Sequence, residues 1–191
     1  DASSAMLDES KWLNTPKVHR TLCAFDEVDH QFADEQFDLV FSNFAGLNCI
    51  DEKDLNELGS VIHKKLRPNG QFIGVFLSNN CWLERLYFTL KRDQRKNRRG
   101  NGMSVASLNA SKTSQTPIWY HSLSAIQAAF RGFETQRVRP IGLLIPPSYL
   151  EPWVRRHMLL TYLLTGLDVL LTNSSWSAER ADHLYISMRK R

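Results

Sequence analysis

Two polar residues occupy positions where a small molecule could be held. Asp26 follows the weakly alternating stretch Val18–Leu22, and Asn43 follows the short apolar run Phe37–Phe41. Consecutive Leu39, Val40 and Phe41 suit a strand covered on both faces, as in a parallel sheet. Ligands of open α/β sheets bind just beyond the carboxyl ends of such strands. A carboxylate there can accept two hydrogen bonds at once. Glu27 and Phe44 adjoin the pair, the first with a backbone N–H, the second with an apolar ring. A blander reading stands beside this one. Asp29, Asp34 and Glu35 make Asp26 one acid of an acidic loop, and Asn is a common turn residue at a strand end.

His121, in the pair Tyr120-His121 ahead of a Ser122 helix cap, can serve as a general base. A lone histidine is more often structural. His19, His30, His63, His157 and His183 form no constellation with it, and the three cysteines are widely spaced. Without a CxxC or HxxxH pair, neither a zinc site nor a disulfide framework is expected.

The elements that would position these residues follow from periodicity. Phe25–Gln36 reads as an acidic loop and Phe37–Phe41 as the central strand. Asp54 opens a helix running to Arg67, with Glu57 placed for a capping box. Leu55, Leu58, Ile62 and Leu66 form its apolar face. Pro68-Asn69-Gly70 turns the chain into a second buried strand, Gln71–Leu77. The two strands should be adjacent and parallel, joined by that helix. Ser3 or Ser4 caps a helix carrying Met6 and Leu7. Trp82–Leu90 is a short amphipathic helix, and Ser122 caps another that runs through Phe130 and closes at Gly132. Ser104–Gln115 reads as irregular, Thr116–Tyr120 as extended, Phe133–Ile145 as strand and turn, Trp153–Leu171 as helix, and Asp182–Met188 as a last strand. Asp38 is expected to accept backbone hydrogen bonds near the start of its strand.

Composition sets the class. The chain of 191 residues is 42% hydrophobic and 23% charged, enough for one domain with a core. A net charge of +4 is too small to imply nucleic acid. The run Lys91–Gly102 holds six basic residues but no interleaved aromatics, and reads as a solvated loop rather than an RNA groove. Met158–Leu171 is interrupted by Thr161, Thr165, Gly166 and Asp168, so it is too short and too polar to span a bilayer. No signal peptide opens the chain, and the cysteine usage fits a reducing, cytoplasmic compartment.

Three motifs in order carry a family resemblance. DASSAML at Asp1–Leu7, the spacing from Phe25-Asp26 through Phe32 and Asp34 to FDLV at Phe37–Val40, and LRPNGQFIGV at Leu66–Val75 resemble the class I S-adenosylmethionine-dependent methyltransferases. The resemblance covers the whole chain, more weakly after Ser78. It implies a Rossmann-like α/β sheet with helices on both faces and S-adenosyl-L-methionine as cofactor, while the apolar C-terminal third of the chain points to a small or lipophilic methyl acceptor. Asp1 then matches the acid that binds the ribose hydroxyls. Asp26, with the backbone of Glu27, matches the adenine position. Asn43 and Phe44 match the contacts to the methionine moiety or the acceptor.

The family's first strand and its Gly-rich turn find no counterpart. Gly100-Asn101-Gly102 follows a charged loop and not a buried strand. The expectation is therefore a single partial domain over residues 1–191, the C-terminal portion of the family's strand order 3-2-1-4-5-7-6. Its exposed sheet edge would favour self-association. A degenerate methyltransferase fold serving as a non-catalytic interaction module is the alternative.

Overall fold

Two runs of apolar residues separated by one amphipathic helix organise the sheet. In the computed structural model, β1 (Phe37–Ser42) and β2 (Leu66–Leu77) are adjacent and parallel, with Leu39 opposite Gln71 and Phe41 opposite Ile73. The structure describes residues 2–12, 15–34, 36–43, 45–93, 99, 103–107, 115–146, 150–170 and 175–191. Asp1 and Phe44 lie outside the described residues, as do 94–98 of the basic run.

The helix between the strands, α3 (Glu52–Lys65), starts two residues earlier than its apolar spacing suggests. Asp51, not Asp54, is its cap: Asp51 Oδ1 accepts from the Asp54 amide at 2.8 Å. Apolar periodicity alone cannot locate a cap, because the first turn is solvent-facing in either frame. Two short helices precede β1, namely α1 (Ser4–Glu9), capped by the Ser3 hydroxyl, and α2 (Val28–Gln31) within the acidic loop. Val18–Leu22, expected as a strand, is irregular, and Val18 and Leu22 are exposed with no sheet partner among the described residues.

After β2 come α4 (Trp82–Leu90), β3 (Met103–Ser107) and β4 (Gln115–Trp119). The stretch read as irregular thus begins with a strand, and β3 pairs antiparallel with β4 in a separate two-stranded ribbon. There follow α5 (Leu123–Ala129), capped by Ser122, and β5 (Phe133–Ile141). The expected long C-terminal helix is two, α6 (Glu151–Arg156) and α7 (Met158–Leu170). The chain ends with α8 (Ser175–Ala178) and β6 (His183–Lys190).

The four-stranded sheet has the order β1-β2-β6-β5, with β6 antiparallel to both neighbours. One face is packed. Phe72, Phe76, Leu184, Ile186 and Met188 meet Leu55, Leu58 and Ile62 of α3 and Ile126, Ala129 and Phe130 of α5. The Phe72 and Phe130 rings stack with centroids 4.2 Å apart. The far face of β1 is open: Leu39 is 49% and Phe41 58% exposed. That overturns the reading of β1 as a strand covered on both faces. Val40 and, across an irregularity in register, Phe37 pack against the core, while Leu39 and Phe41 point to the opposite face.

Candidate active site

The carboxyl end of β1 is built around a tight reversal. Asn43 is exposed, and its carbonyl accepts from the Gly46 amide at 3.4 Å. Ala45 takes left-handed φ and ψ of 57° and 25°. A non-glycine residue there carries strain of order 1–3 kcal/mol, which the surrounding structure must hold. The hold is visible two and three residues further on. Leu47 and Asn48 are buried, and Asn48 clamps two strands at once. Its Oδ1 accepts from the Leu77 amide at 2.8 Å, and its Nδ2 donates to the carbonyls of Leu77 at 3.3 Å and Trp119 at 2.6 Å. The loop after β1 is thereby tied to the carboxyl ends of β2 and β4.

The Asp26 loop is brought to the same place from the other side. Phe25–Glu27 forms one 3-10 turn, and Glu27 Oε2 accepts from the Ala24 amide at 2.8 Å, so the Glu27 side chain is committed to its own loop. An added Cβ on Gly46 would lie 3.9 Å from Ser42 Oγ and 4.0 Å from the Phe25 ring. The two loops are therefore neighbours, and a methyl group at Gly46 would be in ordinary van der Waals contact with both. Asp26 is exposed.

The far end of the acidic loop is pinned by α3. Buried Lys65 donates to the carbonyls of Asp29 at 3.0 Å and Ala33 at 3.2 Å and pairs with the Asp29 carboxylate at 3.1 Å; Lys64 pairs with the same carboxylate at 3.3 Å. Hydrogen bonds from Lys65 and then Lys64 hold the Asp29 carboxyl below its ordinary value. Asp38 makes a different contact from the one expected. It is exposed and accepts from Arg67 Nη1 at 2.7 Å, since the backbone groups beside it belong to the sheet ladder.

His121 lies behind the β1 loop. It is buried, Nε2 stands 3.1 Å from the Ile50 carbonyl, and the ring meets Phe76 edge-on. Burial pushes its pKa down, against the opposing carbonyls of Ile50 and Leu47. With that carbonyl as its partner, Nε2 carries the hydrogen. His121 also lines a shallow pocket of about 270 Å³ with Glu52, Asn79, Trp119 and Tyr120.

A second cluster, which periodicity did not reveal, caps β2. Arg99 is buried and donates to Glu84 Oε2 at 3.1 and 2.9 Å, to the Ser78 carbonyl at 3.3 Å, to the Asp182 carbonyl at 2.8 Å and to the Asp182 carboxylate. Its guanidinium also lies over the Tyr120 ring at 5.5 Å. Arg99 thus departs from the solvated-loop reading of the basic run, whereas Lys91 and Arg92 are exposed as expected. Burial pulls its guanidinium pKa down, but the carboxylates of Asp182 and Glu84 outweigh burial and hold it above its ordinary value. Burial likewise pushes Asp182 up, and the hydrogen bond from His183 and the charge of Arg99 reverse this and bring it to about 2. One signal was present in the sequence. Glu84 stands four residues before Phe88, in the buried phase of α4. Among the described residues no cluster of His, Cys, Asp and Glu is suited to hold a metal ion.

The sheet order matches the 4-5-7-6 half of the family order, and comparison with known proteins agrees. A methyltransferase-domain family profile matches residues 1–74. A Listeria monocytogenes protein assigned as an S-adenosylmethionine-dependent methyltransferase superposes with a TM-score of 0.64 at 16% identity, covering 100% of this chain and 78% of that one. An S-adenosylmethionine-dependent methyltransferase from Mesorhizobium loti gives 0.58 at 14%, with 100% and 78% covered. A cyclopropane synthase from Mycobacterium tuberculosis gives 0.52 at 14%, with 98% and 66% covered. No curated protein matches the sequence. At 16% identity or less these likenesses show the fold, that of S-adenosylmethionine-dependent methyltransferase structures, over the whole length of the chain, and the methyltransferase-domain pattern covers its first 74 residues.

Proposed function

We propose that the chain transfers the methyl group of S-adenosyl-L-methionine to a small or lipophilic acceptor, as part of a domain whose sheet continues beyond β1. The observation that carries this is the juxtaposition of two loops at the end of β1: the Asp26 turn, through the Phe25 ring, and the Asn43–Gly46 reversal are neighbours. The group fits what is there. Asp26 offers an exposed carboxylate for the adenine amino group, and the Glu27 backbone lies beside it. Asn43, with Phe44 next in the chain, stands at the strand end where the methionine part or the acceptor would lie. Asp1 is assigned to the ribose hydroxyls by its place in the family pattern. When bound, the cofactor supplies an electrophilic methyl carbon.

What the protein contributes is orientation and exclusion of water, because in-line displacement depends on holding two reactants in register. Asn48 fixes the loop that carries Asn43 to β2 and β4, so the strand end cannot drift from the rest of the site. His121 is assigned here to positioning: through the Ile50 carbonyl it braces the approach to α3. The shallow pocket beside it is a candidate place for an acceptor.

The test uses calorimetry with S-adenosylmethionine on the full-length protein. Asp26→Ala should weaken binding by the equivalent of roughly 1.5–3 kcal/mol, the range for a hydrogen bond to a charged group. Asp34→Ala, on the same loop and equally exposed to solvent, should change little. Equal dissociation constants for the two variants would remove Asp26 from the site. A second reading, a methyltransferase-fold module that binds a partner without catalysis, is favoured by the open face at Leu39 and Phe41. Absence of cofactor binding by the wild-type protein would select it.

A further inference from the structure

The cofactor site leaves α7 unused, and α7 has an unusual surface for a helix facing water. Leu159 is 82% exposed, Leu163 67%, Leu170 77%, and Met158, Tyr162, Leu167 and Val169 are exposed as well. At the helical turn angle these side chains sweep an arc of roughly 200°, about twice the stripe that packs a surface helix onto a core.

The polar groups of the helix are satisfied internally. Thr161 Oγ1 donates to the His157 carbonyl at 3.1 Å, and Thr165 Oγ1 to the Thr161 carbonyl at 2.9 Å. The sole charged residue of α7, Asp168, is buried and accepts from the amides of Gly142 at 3.2 Å and Leu144 at 2.8 Å. Asp168 thus docks the helix to the body by one side. The outward arc carries no polar group except the Tyr162 hydroxyl.

Charge and aromatic groups bracket this arc along the chain. Arg155, Arg156 and His157 immediately precede it, all exposed. After it comes Trp176, 63% exposed, with the Arg180 guanidinium 4.1 Å above its ring. A helix of 13 residues is too short to cross a bilayer, and no described helix is long and apolar enough to do so. An apolar arc flanked by cations and an exposed tryptophan instead suits the plane of a lipid headgroup layer.

We propose that α7 is an interfacial helix that seats this face of the protein on an anionic lipid surface. The leucines and Tyr162 enter the acyl boundary, Arg155 and Arg156 meet the anionic headgroups, and Trp176 sits at headgroup level. The width of the arc favours this occupant over a second copy of the chain. Pairing of two helices covers a narrow seam, whereas a lipid layer covers the whole side of a helix lying in its plane. The helix is separate in the chain from the cofactor loops, so this assignment stands independently of methyl transfer.

The test is vesicle flotation of the full-length protein, with phosphatidylcholine vesicles and with the same vesicles containing phosphatidylglycerol. Binding is expected to the anionic vesicles and to be weakened by salt. The double variant Leu159→Glu with Leu163→Glu should lower it by roughly tenfold or more, since each leucine loses its apolar burial and gains a charge. Arg155→Gln with Arg156→Gln should lower it by a similar factor, at about tenfold or less per cation near the surface. All four positions are exposed, so unchanged melting temperatures would show that folding is intact. Failure to float with either vesicle, or flotation indifferent to the leucine variants, overturns the proposal. So does a dimer by light scattering that the leucine variants split, which would make a second copy the occupant.

Discussion

At the scale of single residues, the most consequential side chains are those that sequence periodicity is least able to see. Asn48 sits between Leu47 and Cys49 in an apolar run, and its three hydrogen bonds join elements far apart in the chain. Arg99, Glu84 and Asp182 come from three separate segments and meet only in the fold. Asp182 gives this cluster a pH signature. Its carboxyl falls from an ordinary 3.8 to about 2 in the folded chain, so its contribution is fully present above pH 4 and is lost as pH falls through 2. At about 1.4 kcal/mol per pKa unit, that contribution is about 2 kcal/mol. Urea unfolding of wild type and Asp182→Asn should differ by about that amount at pH 6, and the gap should close towards pH 2. A gap that stays constant with pH would mean that the carboxylate charge is not what Arg99 holds.

At the scale of elements, the βαβ unit was legible and its surroundings less so. The apolar runs of β1 and β2 and the α3 face between them are local patterns, and the fold places them as parallel neighbours. The loops that carry the candidates Asp26 and Asn43 are neighbours through Phe25 and Gly46, although the stretch before Asp26, expected as a strand, is irregular. What escaped was non-local. The β3 strand gains its identity from β4, and its own five residues are too few to mark it. The break between α6 and α7 has no proline or glycine to announce it.

The contact between α3 and α5 rests on one small residue. A Cβ added at Gly59 would stand 2.3 Å from the Ala129 carbonyl oxygen, which belongs to backbone and cannot swing away. Gly59→Ala should therefore lose stability by about 1–3 kcal/mol through overpacking. The expected helix-propensity gain of about 1 kcal/mol offsets only part of that loss. Chemical denaturation checks this directly, and a more stable variant would show that the helices part at little cost.

At the scale of the whole molecule, the sheet is unbalanced. Phe72, Phe76 and Ile186 look into a filled layer, while Leu39 and Phe41 look out of the opposite face on a strand with one sheet neighbour among the described residues. An exposed apolar edge strand is a template for another chain. We propose that in the full-length protein a further parallel strand takes the open side of β1, as the family strand order implies, and that its crossover helix covers Leu39 and Phe41. Residues 1–191 expressed alone should then self-associate and bind S-adenosylmethionine weakly, because the methionine end of the cofactor would lack its support and in-line transfer needs orientation. Charging the edge separates the two effects. Leu39→Lys with Phe41→Lys should return the isolated chain to monomer in sedimentation velocity, since edge lysines block strand addition, and should leave cofactor binding weak. The same substitutions in the full-length protein should be destabilising by several kcal/mol, since they would bury two charges against the covering helix. A monomeric wild-type chain 1–191 with micromolar affinity for S-adenosylmethionine would show instead that β1 is a true edge and that the loops at its end suffice for the cofactor.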